Sequence, residues 1–166
     1  MNILISSAGK RVSLVKAFQK EIKIRIPNGN VFAADANPQL SAACVIADGW
    51  FKIPRLDDPN YLIELIKKCI EHDITLIIPT IDTELLLLAE NKEMLKERGI
   101  QVVISSPAII KKSRDKRLIH AFFESHGIEV AKEYAKDNLK FPLFIKPSDG
   151  SRSIDTFLIK DKNDLT

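Results

Sequence analysis

Short apolar runs recur along the first two thirds of this 166-residue chain, and several of them are separated by a stretch with helical periodicity. The runs occupy residues 2–5, 31–35, 49–53, 75–78 and 101–104. Apolar residues without polar alternation are typical of parallel strands that are covered on both faces. Strands that alternate with helices form βαβ units with right-handed crossovers. The order therefore predicts an α/β fold, with an open, mostly parallel, Rossmann-like sheet and helices on both faces.

The clearest helix lies between the third and fourth apolar runs. Asp58 is expected to cap its start, and Pro59 suits the first helical position. An apolar stripe at helical spacing is formed by Tyr61, Leu62, Leu65, Ile66, Cys69 and Ile70. Burying this stripe would contribute about 10 kcal/mol before the entropy of ordering the side chains is subtracted. We expect this helix to pack on the sheet, and a further helix to run over residues 83–98.

The alternation of apolar runs with helical stretches changes after the fifth apolar run. Two helical stretches and three β-prone runs follow, at residues 107–112, 115–126, 130–134, 140–146 and 156–160. This change predicts a boundary near residue 110, with one domain over residues 1–110 and a second over residues 111–166. Because no helix of its own covers the strands of the second domain, we expect it to be a partial α+β subdomain of a larger unit.

Composition and charge argue against several classes of function. The chain has no run of about 18 apolar residues, so no membrane partner is expected, and its first residues lack the basic segment of a secretory leader. A net charge of +3 is too small to indicate a nucleic-acid partner. The two cysteines, Cys44 and Cys69, have no metal or redox spacing. We therefore expect a cytoplasmic protein without a metal site in these residues.

The turn after the first strand invites a dinucleotide-binding interpretation. Asp35 ends the second strand where a ribose-binding acid would lie, but residues 6–11 contain one glycine where such a motif needs three. In the alternative interpretation, Asp35 hydrogen-bonds a neighbouring loop. Gly9, Lys10 and Arg11 precede a helix, whose N-terminus can receive an anionic group. Lys10 and Arg11 are therefore candidate substrate-binding residues.

Two acidic residues follow the fourth apolar run. Asp82 and Glu84 lie just past the strand end, at the edge where open α/β sheets bind ligands. They are candidates to bind the amine of an acceptor substrate. In the alternative interpretation, Asp82 caps the next helix and Glu84 is a favourable charge in its first turn.

A phosphate-binding pattern begins at the strand predicted over residues 140–146. Lys146 ends this strand, which should bury the aliphatic stem and hold the ammonium group where it can contact a phosphate. The turn that follows contains one glycine and three serines, Ser148, Gly150, Ser151 and Ser153. Their backbone N–H groups and hydroxyls can bind phosphate oxygens. An ordinary hairpin turn would explain the same residues.

Together with Asp115 and Lys116 at the start of an upstream helix, this pattern resembles the ATP-grasp superfamily. There, an acid–base pair opens a helix and a lysine ends a strand written Phe-Pro-x-x-x-Lys-Pro, as in residues 141–147 of this chain. Residues 33–38 and 78–84 resemble the α/β domain that precedes this fold in proteins similar to the carbamoyl-phosphate synthase large subunit. The resemblance covers essentially the whole chain.

The resemblance assigns roles to particular residues. It implies that Lys116 and Lys146 contact the phosphates of ATP, and that Gly150, Ser151 and Ser153 form a phosphate-binding loop. The loop departs from the family pattern, because Arg152 and Asp155 stand where small residues are common. The Mg²⁺ ligands of the family would lie beyond residue 166, so this chain alone is expected to be inactive.

The resemblance also implies a reaction. A carbon–nitrogen ligase of this kind uses ATP and Mg²⁺ to activate a small-molecule carboxylate as an acyl phosphate, and an amine then displaces the phosphate. Association into a homo-oligomer is compatible with this role. Two alternatives stay open from the sequence: a non-catalytic nucleotide- or metabolite-binding domain, and an NAD(P)-dependent oxidoreductase domain.

Overall fold

The computed structural model describes residues 1–150 and 153–165. The chain divides into two compact units, Met1–Pro107 and Ala108–Thr166. Within the described residues, no helix is both long enough and apolar enough to cross a membrane.

The first unit is a parallel sheet of five strands in the order β3-β2-β1-β4-β5. The strands are β1 (Asn2–Ser6), β2 (Asn30–Asp35), β3 (Gly49–Lys52), β4 (Ile74–Pro79) and β5 (Gln101–Val102). The helices are α1 (Val12–Arg25), α2 (Ala42–Ile46), α3 (Tyr61–Glu71), α4 (Asp82–Glu90) and α5 (Lys92–Glu97), with a short 3-10 helix at Pro38–Leu40. The predicted α/β fold with a mostly parallel sheet is confirmed.

The core of this unit lies on both faces of the sheet. Alternate residues of β1 point to opposite faces, as the pleat of a strand requires: Leu4 belongs to one apolar cluster, whereas Ile3 and Ile5 belong to the other. The first cluster takes its helical residues from α3, α4 and α5, and the second takes them from α1 and α2. Side chains on both faces of the sheet are therefore buried, which explains why the strands lack polar alternation.

Three details of the predicted helices differ from the structure. Helix α3 begins at Tyr61 rather than Pro59, because Asp58 accepts the backbone N–H of Asn60 at 2.8 Å and so forms a turn before the helix. Ile70 is 60% exposed and does not join the buried stripe. The helix predicted over residues 83–98 is broken into α4 and α5 at Asn91, whose side-chain amide donates to Leu87 O at 2.9 Å.

The second unit contains two helices and a two-stranded sheet. The helices are α6 (Pro107–Arg114) and α7 (Lys116–Ser125), and the antiparallel strands are β6 (Leu143–Ile145) and β7 (Phe157–Ile159), followed by a 3-10 helix at Lys162–Leu165. Asp115 caps α7 by accepting the backbone N–H groups of Arg117 and Leu118. The strand predicted over residues 130–134 is wrong: this segment has no regular secondary structure and pairs with no strand of the described residues.

We expect the small sheet of the second unit to exchange its amide protons faster than the large sheet. A two-stranded sheet is marginal in water without a covering layer, and Phe144 and Phe157 are 69% and 58% exposed. Hydrogen exchange in dilute protein should therefore show less protection at residues 143–145 and 157–159 than at residues 76–78. Equal protection at the two sheets would contradict the interpretation that the small sheet lacks a cover.

Candidate functional site

The first candidate site lies where the strand order of the large sheet reverses. Strands β1, β2 and β3 follow one another in one direction, and the chain then returns to place β4 on the other side of β1. Ligands of open α/β sheets bind at such a point, outside the carboxyl ends of the strands. The loops after β1 and β4, which carry the candidates Lys10, Arg11, Asp82 and Glu84, flank this point.

Glu84 is the buried centre of this site. Its side chain is completely shielded from solvent, and each carboxylate oxygen accepts two hydrogen bonds. Ser7 Oγ and Tyr61 Oη donate to Oε2 at 3.1 and 2.8 Å, and the backbone N–H groups of Thr80 and Ile81 donate to Oε1 at 2.9 and 3.3 Å. Buried carboxylates are tolerated when such donors replace water. To bind a substrate amine, Glu84 would first have to lose some of these partners.

Further hydrogen bonds join the two loops to each other. The guanidinium group of Arg11 donates to Thr80 O at 2.6 Å, and the hydroxyl of Thr80 lies 2.8 Å from both Ser6 O and Ser7 O. Ser7 has a φ of +49°, a conformation that non-glycine residues adopt rarely. The loops after β1 and β4 are therefore held in one arrangement by the side chains of the protein itself.

Asp35 fixes the loop after β1 from the other side. Its carboxylate accepts the backbone N–H of Gly9 at 3.0 Å and that of Asn37 at 2.9 Å. Gly9 itself has a φ of +48°, which glycine adopts without steric strain. The interpretation that Asp35 hydrogen-bonds a neighbouring loop is confirmed.

Lys10 and Asp82 lie at the rim of this site and are exposed. Asp82 is the first residue of α4, and Ile81 occupies the cap position before it. The alternative prediction that Asp82 caps the helix is therefore wrong, whereas Glu84 does accept the N–H of the cap residue from the first turn. Among the four candidates of this unit, Lys10 and Asp82 are exposed residues, whereas Arg11 is partly buried and Glu84 is buried.

Tyr61 was missed as a member of the site. Sequence periodicity placed it correctly on the apolar face of α3, where it is almost fully buried, but no local pattern indicated its hydrogen bond to Glu84. The pKa of the Tyr61 hydroxyl is raised far above its usual range. Burial is the largest cause, and the negative charge of Glu84 and its hydrogen bond to Tyr61 add to it. Tyr61 therefore stays a neutral donor at any physiological pH.

The second candidate site lies in the unit after residue 107 and includes Lys116. Its backbone N–H donates to Ser148 O at 2.8 Å, and its ammonium group lies 2.8 Å from Gly150 O and 3.4 Å from Ser148 O. The start of α7 and the turn after β6 are thus brought together, although more than thirty residues separate them.

Lys146 follows the last residue of β6 and is an exposed residue. The strand predicted to bury its stem is β6, which belongs to a two-stranded sheet whose residues Phe144 and Ile145 are themselves exposed. Ser153 is also exposed and has a φ of +57°, Gly150 is half-buried, and the predicted loop residue Ser151 lies outside the described residues.

The charged side chains next to Lys116 mainly interact with each other at the start of α7. Arg117 lies 3.1 Å from the carboxylate of Asp115, and its hydrogen bond to that group lowers the pKa of Asp115. Asp115 is therefore ionised and engaged with its own helix. Across the described part of the chain, no group of three or more His, Cys, Asp or Glu side chains could hold a metal ion.

Comparison with known proteins identifies a family for most of the first unit. Residues 3–103 match the family described as PylC-like, N-terminal domain. No curated protein matches the chain in a sequence search.

Solved structures match almost the whole chain. They include pyruvate carboxylase T882A from Rhizobium etli with acetyl coenzyme A (TM-score 0.69, 15% identity, 99% of this chain and 16% of that chain). The biotin carboxylase domain of Hydrogenobacter thermophilus 2-oxoglutarate carboxylase, in complex with MgADP, ADP and bicarbonate, matches with a TM-score of 0.69 and 15% identity over 99% of this chain and 38% of that one.

Biotin carboxylase from Campylobacter jejuni, in complex with β-γ-ATP, is similar to the same extent, with a TM-score of 0.68, 16% identity, and coverage of 99% of this chain and 39% of that one. At such low identity the likeness establishes a shared fold. The chain spans between 16% and 39% of the length of these proteins.

Proposed function

We propose, from the premise that this chain belongs to the PylC-like N-terminal domain family, that it is the amino-terminal part of an ATP-dependent carboxylate–amine ligase. The family assignment confirms the predicted resemblance to a domain that precedes an ATP-grasp fold. In this proposal, residues 1–110 contribute contacts on the substrate side, and residues 111–166 begin the nucleotide-binding domain and contribute contacts to the ATP phosphates.

One observation carries the proposal. Lys116 and the turn after β6 are in direct contact, and Lys146 lies at the start of the same turn. Two ammonium groups and a polar turn in one small unit suit a triphosphate, since lysines act as point charges toward phosphate. The fold shared with structures that contain MgADP or an ATP analogue supports the same assignment.

These residues would act by binding and by charge neutralisation. ATP, when bound with Mg²⁺, supplies the phosphoryl group that activates a carboxylate toward an amine. The ammonium groups of Lys116 and Lys146 would lie against the phosphate oxygens and offset negative charge, which is the main protein contribution to phosphoryl transfer. Lys10 and Arg11 would attract the carboxylate substrate, and Asp82 would attract the amine.

Calorimetric titration of ATP with Mg²⁺ tests the nucleotide site. Lys146→Ala is expected to weaken binding by about 1–3 kcal/mol, the usual scale of a charge-assisted contact. Lys140→Ala is the matched control, because it removes another exposed lysine from the same unit and should leave the affinity unchanged. Equal affinity in the Lys146→Ala variant and the wild type would move the nucleotide site elsewhere. Binding of NAD(P) in place of ATP would favour an oxidoreductase.

A further inference from the structure

Strand β3 forms one edge of the large sheet. It pairs with β2, and no other strand of the described residues pairs with its outer side. The backbone N–H of Ile53 donates to Asp35 O at 3.2 Å, and alternate residues of a parallel strand bond to the same neighbour. The backbone groups of Trp50 and Lys52 therefore point away from β2. An edge of this kind presents N–H and C=O groups that can pair with another strand.

Exposed apolar side chains accompany this edge. Trp50 is 52% exposed and is in register with Ala33 of β2, which belongs to the apolar cluster on the face of α1 and α2. Trp50 therefore projects to that face. Helix α2 and the 3-10 helix at Pro38–Leu40 pack on β3, and they contribute the exposed residues Val45 and Leu40. Apolar side chains gathered beside a free strand edge are typical of an interaction surface.

The residues of β3 complement themselves in one antiparallel register. A two-fold axis at Phe51 would place Trp50 of each copy directly opposite Lys52 of the other. The backbone groups of both residues point outward, so each such pair would exchange both of its main-chain hydrogen bonds. Opposite residues project to the same face, which brings the ammonium group of Lys52 within reach of the Trp50 ring. A cation over an aromatic ring is attracted by it.

Other registers are less favourable. A lysine on an edge strand normally discourages pairing, and an axis at Lys52 would bring two ammonium groups together. An axis at Trp50 would place Lys52 opposite Asp48. The carboxylate of Asp48 already accepts two hydrogen bonds within its own chain, at 2.8 and 3.1 Å. The axis at Phe51 is therefore the one that keeps the lysines apart and gives each of them a partner.

We propose that β3 is a dimerisation edge, through which two copies of this chain pair antiparallel about a two-fold axis at Phe51 and join their large sheets into one. Two-fold symmetry suits this contact, because each copy contributes the same residues to it. The axis also keeps α2 of both copies on one face of the joined sheet, on the side to which Trp50 projects. This inference goes beyond the proposed function and does not depend on it.

Sedimentation equilibrium of the chain tests the dimer. Between about 1 μM and about 1 mM the mass of the wild type should rise from that of a monomer toward that of a dimer. Trp50→Lys would set like charges opposite each other and should weaken the dimer at least about tenfold. Adding Lys52→Glu to Trp50→Lys sets opposite charges against each other and should restore it. Lys67→Glu is the matched control, because it changes an exposed lysine of α3 and should leave the dimer unchanged.

Disulfide cross-linking tests the register. Chains with Trp50→Cys and chains with Lys52→Cys should cross-link when they are mixed and oxidised, because opposite residues lie within the distance that a disulfide spans. The second pair of that dimer stays Trp50 against Lys52. Neither variant should cross-link by itself, since its two introduced thiols would be diagonal neighbours about 7–8 Å apart. The native thiols of Cys44 and Cys69 are buried and should not compete.

Three results would overturn the proposal. The first is a wild-type chain that stays monomeric up to about 1 mM. The second is a dimer that Trp50→Lys does not weaken, since its contact would then lie elsewhere, for example at the exposed small sheet of the second unit. The third is cross-linking of Trp50→Cys with itself, which would place the axis at Trp50. None of these experiments uses a nucleotide, so failure of ATP to bind would overturn the proposed function and leave the dimerisation edge intact.

Discussion

Replacing Glu84 with alanine is expected to lower the free energy of unfolding of the first unit by about 3–5 kcal/mol. The carboxylate is fully buried and accepts four hydrogen bonds. Alanine would leave these donors without an acceptor and would open a cavity beside Leu88 and Tyr61, which are also buried. Urea denaturation followed by the fluorescence of Trp50, the single tryptophan of the chain, measures this change within the unit that contains Glu84.

Two matched variants separate the hydrogen-bond network from a general effect of charge. Tyr61→Phe removes one donor and keeps the ring, so we expect a loss of about 1–2 kcal/mol. Asp82→Ala removes an exposed carboxylate from the same helical turn, and its effect should stay within about 1 kcal/mol. If Glu84→Ala destabilises the protein no more than Asp82→Ala does, the network around Glu84 does not hold the loops after β1 and β4 together.

Stability is expected to fall steeply as the pH rises from about 9 to about 12. Burial raises the pKa of the Cys69 thiol from 9.0 to about 12. Above pH 9 the unfolded chain therefore loses a proton that the native protein retains, and the free energy of unfolding decreases with pH. The stabilisation that comes from the protonated thiol is fully present below pH 9. Between pH 9 and pH 12 the free energy of unfolding falls by about 1.4 kcal/mol for each pH unit, and by up to about 4 kcal/mol in total.

Other buried groups act in the same direction. The pKa of Tyr61 is raised by burial and by Glu84, so the loss continues above pH 10, and burial also raises the pKa of Cys44. Urea denaturation at several pH values gives the slope of the free energy of unfolding against pH. This slope should be shallower for Cys69→Ala than for the wild type, by the equivalent of up to one proton, even if the variant is somewhat less stable at pH 7. Cys44→Ala is the matched control and should change the slope less. Identical slopes for Cys69→Ala and the wild type would show that this thiol ionises freely in the native state.

The sheet could be predicted from sequence because its signal is local. Burial on both faces requires apolar strands, and those runs are visible in the residues themselves. The same applies to the helix that begins at Lys116, where Asp115 caps the backbone N–H groups that follow it. Three features could not be predicted in this way: the start of α3, the break at Asn91 and the absence of a strand at residues 130–134. They depend on hydrogen bonds or on partners that the local pattern does not contain.

The candidate residues illustrate the same division. Sequence alone determined the open parallel sheet, the change of fold after the fifth strand, and which charged residues follow the ends of strands. Only the tertiary structure decided what those charges do. Glu84 is buried against Tyr61, a residue 23 positions away, and Lys116 is bound by the carbonyls of a turn 34 positions away. The partner of a polar group is set by folding of the whole unit, because burial removes water and leaves the nearest protein donor or acceptor to replace it.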